Sequence, residues 1–229
     1  MERCDFLPVS AEEMHERGWW WYDALVVGGD AYVDHPSFGT AVISRVLEAE
    51  GLRVAVLAQP DWHDAEAFRA MGRPRLGVFI GAGNLDSMVA HYTAAKRRRS
   101  EDFYSPGKRS GCRPDRAAIV YCNRAREAFG PDMPIILGSL EASLRRFAHY
   151  DYWDDSVRRA ILFDAPADLL VYGMGEAATI EIAHRLKKKQ SVRTMTDIPG
   201  TGYITRDPSV CKFDHITLPS FEDVRDDKR

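Results

Sequence analysis

The chain has no cysteines at ligand spacing: they stand at 4, 112, 122 and 211, so neither CxxC nor CxxxCxxC occurs. That excludes the common zinc and iron–sulfur patterns from these 229 residues and leaves thiols suited to a reducing compartment. No stretch approaches the roughly 18 apolar residues a membrane span needs. The N-terminal "MERCDFLPVS" lacks the apolar core of a signal peptide, so a cytoplasmic location with no membrane partner is expected. Charge of one sign is also missing. The balance is 31 basic to 34 acidic residues, a net charge of -3, and nucleic acid is not an expected partner.

What is present is an alternating pattern. Residues 23–28 (DALVVG), 53–58 (RVAVLA), 75–83 (RLGVFIGAG), 133–138 (MPIILG) and 167–173 (ADLLVYG) are apolar runs of strand length. Between the first two, Phe38, Ala41, Val42, Val46 and Ala49 recur at helical spacing, with Pro36 where a first helical residue is favoured and Gly51 where a helix closes. Similar helical stripes follow over 85–98, 114–130 and 175–189. Buried strands alternating with helices imply an α/β fold, a doubly wound and mainly parallel five-stranded sheet covered on both faces. Residues 1–189 are expected to form this Rossmann-like domain, and 190–229 an irregular extension in which the rhythm stops.

In such a sheet, ligands collect beyond the carboxyl ends of the strands. The candidate cofactor-binding residues are therefore Gly29, Asp30, His35 and Ser37 after the first strand, and Gly81, Gly83 and Asn84 after the third. Gly138 and Ser139 follow the fourth strand, and Gly173, Gly175 and Glu176 the fifth. Glycine there either lets a ligand approach the backbone or relieves a tight turn. A GxGxxG does not follow the first strand, and "GAGNLD" and "GMGEAA" match it only in part, which disfavours an NAD-type dehydrogenase. A metal-dependent hydrolase using Asp30, Asp34, Asp61 and His63 is an alternative, set against the same residues acting as caps and turns. A free-standing nucleotide- or cobalamin-type binding domain is another.

Two segments carry unusual composition. Lys96 to Arg116 is a long loop with eight basic and three acidic residues, either solvated or a lid or docking element. Residues 139–161, "SLEASLRRFAHYDYWDDSVRRAI", combine arginine with tyrosine and tryptophan, as interface anchors do and as a local aromatic cluster also would.

Four stretches together resemble one family: "DFLPVSAEEMHERGW", "GDAYVDHPSFGTAVISRVLEAEGLRVAVLAQPDW", "GSLEASLRRFAHYDYWDDSVRRAILFDAPADLLVYGMGE" and "LPSFEDVRDDK" are similar to the N-terminal part of YgiQ-type radical S-adenosylmethionine proteins. Their outline also resembles the cobalamin-binding-like Rossmann domain that precedes many radical enzyme cores. The resemblance implies an accessory domain that presents substrate to, or covers, a later catalytic barrel docked through residues 139–161. In the family that barrel holds a [4Fe-4S] cluster on CxxxCxxC and cleaves S-adenosylmethionine; this chain carries no such motif, and "RDDKR" reads as a truncation point. Histidine-ligated cobalamin domains use DxHxxG, whereas Asp34 and His35 are adjacent here and Gly39 lies four residues on, so cobalamin stays open.

Overall fold

The computed structural model describes residues 6–227; Cys4, Lys228 and Arg229 lie outside the described residues. Sixteen helices and strands are used below, in chain order. They are α1 (Ala11–Glu16), β1 (Ala24–Gly28), α2 (Gly39–Ala49), β2 (Val54–Ala58), α3 (Glu66–Ala70), β3 (Gly77–Gly81), α4 (Ser87–His91) and α5 (Ala117–Phe129). The second half adds β4 (Ile135–Leu137), α6 (Ser139–Leu144), β5 (His149–Asp151), β6 (Ser156–Arg158), β7 (Leu169–Val171), α7 (Glu176–Lys187), β8 (Thr201–Gly202) and α8 (Phe221–Asp226).

Side chains alternate across a strand, and here both alternations are apolar, so both sheet faces need cover. The row Val56, Val26, Phe79, Ile136, Leu169 meets Leu47 of α2 and Ile182 of α7 on one face. The row Leu57, Val27, Ile80, Leu137, Leu170 meets Phe68 of α3 and Tyr121 of α5 on the other. The sheet order is β2-β1-β3-β4-β7-β8, with parallel pairing from β2 through β7. The connection leaving β1 runs to one side and that leaving β3 to the other, so the topological switch lies between β1 and β3.

The fold class is therefore the doubly wound α/β sandwich, with six strands rather than five. The sixth, β8, pairs antiparallel with β7 and comes from the region after residue 190. Periodicity could not reveal a strand of two residues. The segment leading to it packs Val192, Met195 and Ile198 against the α7 face. A separate two-stranded ribbon joins β5 and β6.

Local departures have local causes. Helix α2 starts at Gly39, not Pro36, because Phe38 is extended and the Gly39 N–H donates to Asn84 Oδ1 at 3.3 Å. The helical stripe of 85–98 yields only α4. Beyond it Tyr92 is extended, and the chain folds back so that the Arg99 N–H donates to the His91 carbonyl at 2.7 Å. A helix through Lys96 to Arg99 would also crowd like charges on neighbouring turns.

The long basic loop exposes Lys96 to Arg99, Lys108 and Arg109 but is anchored through Arg113. Arg113, 1% exposed, is held by Asp102 through Nε at 3.0 Å and Nη2 at 3.1 Å, and by Asp30 at 2.9 Å. Asp102 also accepts from Ser105 Oγ at 2.9 Å, and the Ala31 N–H donates to the Tyr104 carbonyl at 2.8 Å. Among the described residues no helix is long and apolar enough to cross a membrane.

Breaking a buried ion network strands a charge, at a cost of about 3–5 kcal/mol, whereas an exposed pair is worth about 0–1 kcal/mol. Urea denaturation of Arg113→Met is expected to show the larger loss, and of Arg69→Met, whose partner Glu66 is solvent-facing, the smaller. Equal losses would contradict the anchoring role.

Candidate functional site

Beyond the carboxyl ends of β1, β3, β4 and β7 lies a crevice of about 290 Å³ between α2 and α7. Its floor is apolar, with Val26, Phe79, Ile136 and Val171, and Val42 and Ile43 of α2 form one flank. Two chain features keep it open. Gly29 lets β1 approach β3: a Cβ there would stand 2.0 Å from the Ala82 carbonyl oxygen. Gly83 has φ +109°, and a Cβ there would meet Asp30 Oδ1 at 2.2 Å.

Of the residues singled out from the sequence, Gly81, Gly83, Gly138, Ser139, Gly173, Gly175 and Glu176 line this crevice. The others support it or point elsewhere. Asp30 is buried, accepting from the Asn84 N–H at 2.7 Å while paired with Arg113. Burial pushes its carboxyl pKa up, against the opposing Asn84 N–H and the Arg113 charge. Asn84 clamps the loop before α2, donating to the Ser37 carbonyl at 2.9 Å. Exposed His35 accepts the Ser37 N–H at 3.1 Å and does not line the crevice. Ser139 has a left-handed φ of 73°, which costs a non-glycine residue roughly 1–2 kcal/mol. Its hydroxyl is committed, accepting the Ala82 N–H at 3.0 Å.

The acids and histidine considered for a metal are dispersed. Asp34 pairs with Arg45 across the start of α2 instead of capping it. Asp61 and His63 pair with each other at 2.6 Å in the exposed loop after β2. Among the described residues no three His, Cys, Asp or Glu side chains are grouped to hold a metal ion.

The segment 139–161 divides in two. Part of its polar content is internal structure. Glu141, fully buried, accepts from Ser87 Oγ at 2.7 Å, from the Ser87 N–H at 3.0 Å and from the Ala118 N–H at 3.1 Å, satisfying the start of α5. Burial, reinforced by the charge of Asp86, raises its pKa. Asp151 pairs with Arg116 at 2.9 Å, Trp153 packs on Tyr92, and Tyr152 donates to the Ala94 carbonyl at 2.5 Å. The remainder faces outward. Leu140, Leu144 and Phe147 are exposed, as are Tyr172 and Met174 just after β7, Met174 at 92%, and Arg146 lies over Phe147 and Tyr172.

Sequence reasoning missed Arg113 and Asp102, because nothing in composition separates Arg113 from its basic neighbours. It also missed Thr40 and Thr179, which line the crevice. Thr179 stands three residues beyond Glu176, a spacing that puts both on one side of α7 and was available as a signal.

The family model described as Radical SAM N-terminal matches residues 6–229. A UPF0313 protein of Clostridium botulinum (strain 657 / Type Ba4) is 55% identical over the whole chain, which covers 36% of that protein. A UPF0313 protein of Clostridium perfringens (strain SM101 / Type A) is 52% identical, again over all of this chain and 34% of its own length. The chain thus spans about a third of the length of the curated relatives it matches. Among solved structures, the radical S-adenosylmethionine methyltransferase TsrM of Kitasatospora setae, with cobalamin and a [4Fe-4S] cluster bound, matches 80% of this chain and 27% of that one, at 20% identity and a TM-score of 0.49.

Because the Glu141 pKa is raised, the folded chain holds that proton more tightly than the unfolded chain, and its contribution to stability falls as pH climbs from the unfolded value near 4.5 through the raised one. Glu141→Gln removes this titration. The stability margin of the natural chain over E141Q, read from urea curves at a series of pH values, is expected to narrow as pH rises through that window; a widening margin would show the opposite shift.

Proposed function

The chain belongs to the Radical SAM N-terminal family, and from that premise we propose that it is an accessory module that covers, or presents substrate to, the catalytic portion its longer relatives carry. The observation that supports this most is the exposed apolar rim of Leu140, Leu144, Phe147, Tyr172 and Met174 beside the crevice mouth. Large exposed apolar side chains grouped on one side mark an interaction site, and Arg146, over the Phe147 and Tyr172 rings, ties two of them together and supplies the arginine–aromatic mix of interface anchors. In our reading the partner is the remaining two thirds of the relatives' polypeptide.

The cysteines described here do not fit an iron–sulfur cluster: Cys122 is wholly buried on α5, its thiol pKa raised by burial, and among the described residues neither Cys112 nor Cys211 is grouped with other ligands that could hold a metal. The [4Fe-4S] cluster and S-adenosylmethionine are therefore assigned, within this proposal, to the rest of the full-length protein. Cobalamin held through a protein histidine does not fit the crevice either, because no histidine lines it and His35 is turned away. Free thiols on Cys112, Cys122 and Cys211 suit the reducing cytoplasm in which we place the protein.

Hydrogen exchange on this chain alone and on the matching region of a full-length relative tests the docking face. Amides around positions 140–147 and 172–175 are expected to gain protection in the full-length protein. Identical exchange in both would overturn the reading.

A further inference from the structure

The end of the sheet opposite the crevice carries a cluster of tryptophan and arginine. Trp21 stands shortly before β1, Arg53 directly before β2 and Arg75 shortly before β3, on neighbours in the order β2-β1-β3. Backbone bonds hold the three in register: the Asp23 N–H donates to the Arg53 carbonyl at 2.8 Å, and the Arg75 N–H to the Tyr22 carbonyl at 3.1 Å. The Trp21 ring, on the middle chain, meets the Arg53 guanidinium at 3.9 Å and the Arg75 guanidinium at 3.6 Å. Arg53 also lies over Trp19 at 5.6 Å. Beside them Trp20 is 81% exposed, with the His15 ring of α1 against it at 4.9 Å. Among the described residues the Arg53 and Arg75 guanidiniums make no ion pair and donate no hydrogen bond. By contrast Arg45, Arg116, Arg126, Arg145 and Arg185 each meet a carboxylate.

Stacking on an indole engages the face of a guanidinium and leaves its N–H donors free in the ring plane, where they form a fork that matches a carboxylate. Two such forks held on one ring, next to a solvent-facing tryptophan, bring together the residue types that dominate binding energy at protein interfaces. The charge around them selects the anion. Glu12 and Glu16 are exposed on α1, the helix whose His15 contacts Trp20. A nucleic acid, charged at every nucleotide, is repelled by these acids as it crosses the face, whereas single carboxylates seat on the two arginines. We propose that this face docks an acidic segment of a partner protein, with aspartate or glutamate side chains on Arg53 and Arg75 and an adjoining apolar side chain on Trp20. The face lies at the amino ends of the strands and the rim of Phe147 and Met174 at their carboxyl ends, so either reading can fail while the other stands.

An array of hexapeptides built from Asp, Glu, Leu and Phe, beside the same set with Asn and Gln in place of the acids, is probed with the labelled chain. Peptides of the acidic set are expected to retain it. The best of them, titrated in solution, is expected to bind about tenfold or more tightly than both its amide counterpart and a decathymidylate, and Arg53→Met, Arg75→Met and Trp20→Ala are each expected to weaken that binding about fivefold or more. Trp20 faces solvent, so Trp20→Ala should leave the melting temperature unchanged, and its binding loss then reports recognition and not folding. Retention by no acidic peptide, equal binding of the acidic and amide forms, tighter binding of the decathymidylate, or undiminished affinity in Trp20→Ala or in both arginine variants would each overturn the proposal.

Discussion

One guanidinium holds together the carboxyl ends of the strands and the loop that covers them. Arg113 reaches from a long irregular loop to Asp102 of the same loop and to Asp30 at the end of β1, with all three side chains buried. Isolated, any one of these charges would be costly to remove from water; together they exchange hydration for each other, with the Asn84 N–H and Ser105 Oγ adding donors. The site is still short of one positive charge, and the neighbouring Asp102 charge adds to the burial that raises the Asp30 pKa. A network built this way stabilises less than it constrains. Its consequence is geometric: the strand ends and the loop over them have one arrangement.

From that arrangement the crevice follows. Gly83 must lack a side chain because Asp30 and Arg113 fill the space beside it, and Gly29 must lack one because the Ala82 carbonyl does. Asn84 then carries the β3 end across to the start of α2, which brings Val42 and Ile43 over the apolar floor. The opposite flank is set by α7 and its entry turn, where Gly173 has a left-handed φ of 71° and Met174 is turned out to solvent. The cavity and the apolar rim thus share one edge of the sheet.

Strands β1, β2, β3, β4 and β7 were legible because each is a short apolar run buried on both faces, and α2, α5 and α7 because their apolar spacing continues for three turns. The loop residues were legible as a group but not by role. Gly81, Gly138 and Gly175 stand where the strand-end rule puts them, yet Asp30, His35 and Ser37, equally close in sequence, serve the loop rather than the cavity. Their partners, Arg113 for Asp30 and Asn84 for Ser37, are distant in the chain, and long-range pairing leaves no trace in local composition. The same reason hides β8, whose two residues become a strand only because β7 offers an open edge. The density of arginine and aromatics over 139–161 marked a real feature but mixed two: Glu141 and Asp151 face inward to fixed partners, while Leu144 and Phe147 face out.

The Arg113 network as the fastening of the loop to the sheet can be measured amide by amide in the native state. If the network constrains the site as described, the Ala31 amide, bound to the Tyr104 carbonyl, and the Asn84 amide, bound to Asp30, exchange only through the same opening that exposes the β1 and β3 amides, with matching free energies and matching denaturant dependence. Rapid exchange at Ala31 and Asn84 while the strand amides stay protected would show that the loop opens independently of the sheet, and would contradict the dependence of the crevice on this buried charge network.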